Sequence, residues 1–370
     1  MHLGVYSDWI GYAAAPAARA HRPAGERVRE LVGQMASTAG PYAAPSEVRV
    51  ERRWTADGLI GEEVSYSVGF GPRTRAWLLK PADATGPLPG VLALHGHDGF
   101  KYYGKEKVAD TDRPPSAAVT ALREDLYAGR AFANDLAARG YVVLVPDVFG
   151  WGSRRFPLAE MPPQLRGQAG ADAGLEPSGD DLCETTAYNA VAGHHEHLAE
   201  KYCTLLGTTM AAVVTREDRI ALAFLRGRAD TTDRVASIGL SGGGCRSVLL
   251  RATSSELTAA VVVGMMGTYD SLLDQNVVTH TWMLMPRMIP AEIDWPDVAA
   301  CQAPAPLLVQ YNRQDQLFPL EGETAAHNRI AAHYEAAGSP AAYTGQFFDG
   351  PHKFDRPMQQ AAFTWLETVL

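Results

Sequence analysis

The chain has 370 residues, is 46% apolar and 20% charged, and carries a formal charge of −9 with its histidines neutral. That length suits one large domain with decorations or two domains; the acidic balance argues against nucleic acid as a partner. No run approaches the ~18 apolar residues of a membrane span, and four scattered cysteines (Cys183, Cys203, Cys245, Cys301) without a CxxC pair exclude a disulfide framework and a zinc site.

Residues 1–45 read as loops and one helix, GERVRELVGQMAS, whose apolar residues recur at helical spacing. The N-terminus, MHLGVYSDWIGYAAAPAARAHRP, has no basic start ahead of an apolar core, so a cytoplasmic setting is expected. Between 47 and 80, EVRVERRW, GEEVSYSVGF and TRAWLLKP alternate like strands, with turn residues between them; this predicts an antiparallel meander. From residue 90 the texture changes. GVLALHG, YVVLVPD, VASIGLS, AAVVVGMMG and APLLVQYN are apolar runs without alternation, as in strands covered on both faces. Helical segments intervene: DLYAGRAFANDLAARG, TREDRIALAFLRGR and TAAHNRIAAHYEAAG. Alternating strand and helix predicts an α/β doubly wound, mostly parallel sheet with helices on both faces, and the antiparallel strands form one edge of it.

Two stretches interrupt that rhythm. Asp147 and Val235 lie almost ninety residues apart, more than one crossover helix needs. Residues 153–185, rich in Pro, Gly and Asp, read as a loop or lid over the sheet's C-terminal edge, and 183–227 as mostly helical. A second insert follows the strand ending at Met266 and carries Trp282, Met283, Met285 and Met288. That cluster reads as core, or as the wall of an acyl pocket, since methionine adapts to varied shapes. The predicted organisation is an N-terminal extension over 1–70, packed on a main domain over 71–370 with lid-like inserts at about 153–230 and 268–300.

Gly239-Leu240-Ser241-Gly242-Gly243 is G-x-S-x-G at a predicted strand-to-helix turn. In that context it predicts a nucleophile elbow, with the helix start aimed at a developing oxyanion. A serine nucleophile needs a base and an orienting acid. At such an elbow the chain order is Ser, then Asp or Glu, then His. Asp315, in YNRQDQLFP, and His352, in DGPHKF, each follow a predicted strand. Asp270 is the alternative acid; Asp349 reads as a turn residue, and His327 and His333 as helix surface or packing. The loop His95-Gly96-His97-Asp98-Gly99 should supply a backbone donor, the N–H of His97, which with that of Gly242 makes the oxyanion hole. His95 reads as structural.

Two further patches carry weaker signals. GHHEHLAE places His194 and His197 at i, i+3, but without HExxH or a distant third ligand it reads as a polar stretch near the site mouth, and no metal is expected. DVFGWGSRR brings Trp151, Arg154 and Arg155 to the pocket floor. Either arginine is a candidate for a substrate carboxylate or for a structural ion pair. The pocket residues predicted are Trp151, Arg154, Trp282 and Met285.

Together LHGHDG, ARGYVVLVPDVFGWGSRR, IGLSGGG, WPDVAACQAPAPLLVQYNRQDQLFP and DGPHKF resemble the α/β-hydrolase superfamily. More narrowly they are similar to its dienelactone hydrolase and acetyl xylan esterase-like branch. The resemblance spans roughly residues 75–370 and implies hydrolysis of a carboxylic ester or lactone through an acyl-enzyme, without a cofactor. Dienelactone hydrolases use a cysteine nucleophile where this chain has Ser241, and Cys245 one turn later reads as packing. The expected partner is a small-molecule ester; homo-oligomerisation is left open. A peptidase or C–C bond hydrolase with the same triad, and a non-catalytic binding protein, are the rival expectations.

Overall fold

A computed structural model describes the chain except residues 1–2, 14–18, 20, 42–43, 174–180, 274–275 and 288–290, and except the side chains of 171–173 and 181–183. Met288 of the methionine cluster lies outside the described residues.

Among the described residues nine strands form one sheet in the order β1-β2-β3-β5-β4-β6-β7-β8-β9. β1 (Ser46–Ala56), β2 (Leu59–Ser67) and β3 (Thr74–Pro81) make the antiparallel edge, and β3 pairs antiparallel with β5 (Val142–Pro146). From there β5, β4 (Leu88–Ala93), β6 (Thr231–Leu240), β7 (Ala259–Val263), β8 (Leu307–Asn312) and β9 (Tyr343–Phe348) run parallel. The meander is therefore part of the main sheet. Its outer strand β1 is exposed along most of its length and carries Arg49, Glu51, Arg52 and Arg53, charges that oppose edge-to-edge pairing.

The unbroken apolar runs have a direct cause. β5, β7 and β8 are buried at every position. On β4 and the residue after it, Val91 and Ala93 face one apolar layer while Leu92 and Leu94 face the other. Ala260 and Val262 divide from Val261 and Val263 in the same way. Both faces are covered, so neither strand face has a polar side to show. One layer packs against α1 (Gly25–Ser37), α6 (Met210–Arg226), α7 (Gly242–Thr253), α8 (Trp295–Ala300) and α9 (Leu320–Ala336). The other packs against α2 (Ala117–Tyr127), α3 (Phe132–Ala138) and α10 (Arg356–Val369). The segment DLYAGRAFANDLAARG spans two helices here. Ala128 adopts φ 52°, and the Gly129 N–H closes α2 onto the Arg123 carbonyl, a left-handed C-terminal stop.

The long insert holds α4 (Pro163–Ala173) and α5 (Asp181–Leu205) ahead of α6. Its first part thus contains a helix where a loop or lid was expected. Met161, Ala169, Tyr188, Val191 and Ala192 give it a small apolar cluster of its own. The second insert is built of short helical turns, Tyr269–Leu272, Asn276–Thr279 and Trp282–Leu284, before α8. No described helix is long and apolar enough to cross a membrane.

Candidate active site

β6 ends at Leu240, and Ser241 takes φ 57° and ψ −119° before α7 begins. A non-glycine residue there is strained by about 1–3 kcal/mol and persists only where its surroundings fix it. They do: the Ser241 N–H donates to the Val263 carbonyl of β7 at 2.8 Å, and the Cys245 N–H donates to the Ser241 carbonyl at 2.9 Å. The glycines allow this crowding. A Cβ on Gly239 would stand 2.5 Å from the Leu94 carbonyl oxygen and from the Gly243 backbone, and one on Gly243 would overlap the Leu94 carbonyl. Side chains are absent so that α7 can descend onto β6 and the loop after β4.

The same approach brings two backbone donors together. A Cβ on Gly242 would lie 2.5 Å from the His97 backbone nitrogen. Among the described residues neither the Gly242 nor the His97 N–H has a hydrogen-bond acceptor. Gly242 opens α7, so its N–H has no partner within the helix and adds to the positive end of the helix dipole.

Asp315 follows β8 and its side chain is fully buried. One oxygen, Oδ2, accepts from His352 Nδ1 at 2.7 Å. The other accepts the N–H of Leu317 at 2.7 Å and of Phe318 at 3.4 Å. His352 lies in the loop between β9 and α10. Its Cε1 is 3.2 Å from where a Cβ of Gly264 would stand, directly after the residue that receives the Ser241 N–H. Ser241, Asp315 and His352 therefore share the rim formed by the C-terminal ends of β6 to β9. With Nδ1 donating to Asp315, the proton-accepting nitrogen of the ring is Nε2, and it is buried without a hydrogen-bond partner. The alternative acid Asp270 lies elsewhere, pairing with Arg19. Asp349 is exposed and faces Arg313. His327 bonds Tyr343 and His333 bonds Asp297, both in packing positions.

A cleft of about 260 Å³ opens beside the loop after β4, lined by His97, Glu196, His197, His280 and Trp282 among others. Trp282 lines this cleft together with His194 and His197 of the GHHEHLAE stretch. His197 Nδ1 accepts the indole N–H of Trp282 at 2.8 Å. Among the described residues no group of three or more His, Cys, Asp or Glu side chains is disposed to hold a metal ion.

The other three residues expected at the pocket, Arg154, Trp151 and Met285, do not line this cleft. Arg154 is buried and bonded to Glu217 (Nη2–Oε1 2.5 Å) and to the Phe70 and Pro72 carbonyls, so its guanidinium is spent on structure. Trp151 is buried beneath the loop after β4, its ring edge-on to His97 at 5.3 Å and under the Lys101 ammonium at 3.6 Å. Met285 lines a separate apolar cavity of about 460 Å³ with Trp9 and Tyr269. It lies one turn past Trp282 and faces the other way.

Other residues around the loop escaped the sequence reading. Lys101, Lys105 and Lys107 all point inward. Lys107 pairs with buried Asp98 at 2.8 Å and donates to the Gly96 carbonyl at 2.5 Å. Lys105 pairs with Asp147 at 2.9 Å. Glu196 receives four donors, considered below. His95 is buried and held neutral, first by burial and then by the charges of Arg246 and Lys107, in keeping with a structural role. Behind Asp315, buried Glu323 accepts from the Asn312 N–H, and its Oε2 has no partner.

No family model matches the sequence. The chain is 23% identical over 308 residues to YtaP of Bacillus subtilis, a hydrolase by name, covering 82% of this chain and 86% of that protein. Among solved structures it is similar to a Bacteroides fragilis protein, an acetyl xylan esterase by name, at TM-score 0.68 and 13% identity, over 93% of this chain and 86% of the other. It is likewise similar to a glucuronoyl esterase from Solibacter usitatus, at TM-score 0.62 and 17% identity, over 92% of both chains. The sheet order, the elbow at Ser241 and these likenesses agree: the chain has the α/β-hydrolase fold.

Proposed function

We propose that the protein is a serine hydrolase of carboxylic esters working through an acyl-enzyme on Ser241. The observation that carries this is the Asp315–His352 hydrogen bond at the rim where Ser241 stands beside two unengaged backbone N–H groups. In the first half-reaction Ser241 Oγ bonds to the ester carbonyl carbon while its proton passes to His352 Nε2. The carbonyl oxygen becomes an oxyanion held by the N–H groups of Gly242 and His97. Asp315 fixes the ring with Nδ1 protonated and stabilises the imidazolium. Collapse returns the proton from Nε2 to the departing alkoxide, and the alcohol leaves. Water then repeats the sequence on the acyl-serine, releasing the acid. Each half-reaction returns the proton it takes, so no cofactor is needed. The esterase names of similar structures support an ester as substrate, such as a sugar acetate, a lactone or a small-metabolite ester.

The test is fluorophosphonate labelling together with turnover of p-nitrophenyl acetate, sugar acetates and lactones. Wild type should label at Ser241 and hydrolyse esters; Ser241→Ala should do neither. An unlabelled, inactive wild type would favour a binding protein, and turnover of amides in place of esters a peptidase.

A further inference from the structure

The donor at His97 is a backbone N–H in a loop, and a loop donor is only as well aimed as its anchors. The His97 ring is bonded at both nitrogens. Nδ1 accepts the Gly99 N–H at 3.0 Å, so the ring proton is on Nε2, which donates to Glu196 Oε2 at 2.8 Å. Glu196 comes from α5 in the long insert and its side chain is 5% exposed. The same oxygen accepts from Lys101 Nζ at 2.6 Å. Its other oxygen accepts Thr281 Oγ1–H at 2.7 Å and the Trp282 N–H at 2.9 Å, both from the second insert. One carboxylate thus ties two inserts to the oxyanion loop. Burial opposes its charge, but Lys101 and His97 outweigh burial and hold it well below the usual carboxylate range.

We propose that Glu196 is a positioning residue for ester hydrolysis: by fixing the His97 ring it aims the His97 backbone N–H into the oxyanion site. This rests on the serine-hydrolase reading above. The site needs a carboxylate, not only its shape. All four groups around Glu196 are donors, and the Gly99 bond prevents His97 from moving its proton to Nδ1. A glutamine could accept on one side only, turning its NH₂ against donors on the other.

The test uses the full chain with Glu196→Gln, His97→Ala and the double variant, assayed on p-nitrophenyl acetate and by the fluorophosphonate labelling rate. Expected for E196Q is a kcat lower by about 10- to 100-fold, since a misaimed donor loses much of an oxyanion contact. KM should stay within about threefold, because the contact is made in the transition state. The labelling rate should fall in proportion, and the double variant should be no slower than the worse single one. Tyr188→Phe removes another anchor of α5, the hydroxyl bond to the Phe156 carbonyl at 2.9 Å, and should stay near wild type. A wild-type kcat in E196Q, losses that multiply in the double variant, or an equal loss in Y188F would overturn the proposal. Should E196Q fail to fold, H97A decides alone, since Glu196 keeps its other three donors; a wild-type kcat there is fatal. Wild-type labelling at Ser241 reports separately on the reading beneath: if it is absent, that reading fails and this proposal with it, whereas labelling with an unaffected E196Q sinks this proposal alone.

Discussion

Asp315→Asn tests the triad at its least forgiving point, because the structure dictates how the new amide must sit. Asp315 Oδ1 accepts two backbone N–H groups, from Leu317 and Phe318. In the asparagine only the carbonyl oxygen can take that place, so the NH₂ must face His352 Nδ1. Nδ1 would then have to accept, moving the ring proton to Nε2, the nitrogen that must receive the proton of Ser241. Turning the amide the other way forfeits both backbone bonds and sets N–H against N–H, at a cost of about 2–3 kcal/mol for groups this buried. At 1.36 kcal/mol per decade, the working tautomer is disfavoured by roughly 30- to 150-fold. Losing the negative charge that stabilises the imidazolium adds to this, so kcat should fall by between about 10² and 10⁴. The assay is kcat for p-nitrophenyl acetate alongside the fluorophosphonate labelling rate, with thermal melting to establish that the variant is folded. A folded variant that keeps more than about a tenth of wild-type kcat would show that Asp315 does not set the tautomer, and the mechanism above would be wrong.

Two further outcomes follow from buried charge. The Glu323 carboxyl, 1% exposed, is pushed up to about 8, by burial first and by the charge of Asp315 second. The native state then keeps a proton that the unfolded chain releases in the ordinary glutamate range, so this group's stability is complete below that range and lost as pH rises toward about 8. Glu323→Gln, neutral throughout, should melt close to wild type near about pH 5 and be more stable by a few kcal/mol near about pH 9; a gap independent of pH would contradict the assignment. Arg154→Met strands Glu217 in the interior and should lower unfolding stability by about 3–5 kcal/mol. KM of the folded variant for carboxylate-bearing and neutral esters should not diverge, and a selective rise for the charged esters would return Arg154 to the substrate site.

What the sequence disclosed, it disclosed because the physics was local. VVLVP and AAVVV are apolar without alternation because both faces of those strands are covered, and a strand ending in GLSGGG leaves few alternatives to an elbow. Asp315 and His352 could be picked because strand ends deliver them to one rim. What stayed hidden depended on partners far along the chain. KYYGKEK looks like a solvated charge run, yet Lys101, Lys105 and Lys107 reach Glu196, Asp147 and Asp98. The choice between a substrate-binding and a structural Arg154 turned on Glu217, 63 residues away, which no spacing rule could have placed beside it. Trp282 and Met285 were grouped by composition, but a short helical turn sends them to different cavities. The helix α4 lay unread because its stretch is rich in residues that usually mark loops.

The proposed catalytic constellation divides between two supports of unequal rigidity. Ser241 and Asp315 follow the buried ends of β6 and β8, between the two main apolar layers, and His352 follows the half-buried strand β9. The strained backbone at Ser241 persists because β7 and the start of α7 bond its peptide on both sides. The oxyanion loop has firm anchors below, in the Lys107–Asp98 pair and in Trp151, whose indole donates to the His97 carbonyl at 3.4 Å. Above, its hold on the His97 ring comes from α5, which packs on α4 through a cluster of only a few side chains. Small clusters open more readily than the core they rest on. A disturbance that carries Glu196 itself away, beyond the loss of one outer anchor such as the Tyr188 hydroxyl bond, would therefore release the His97 ring while leaving Ser241, His352 and Asp315 in place. On the proposed mechanism the sheet aligns the proton relay, and the insert keeps the oxyanion donor pointed at its target.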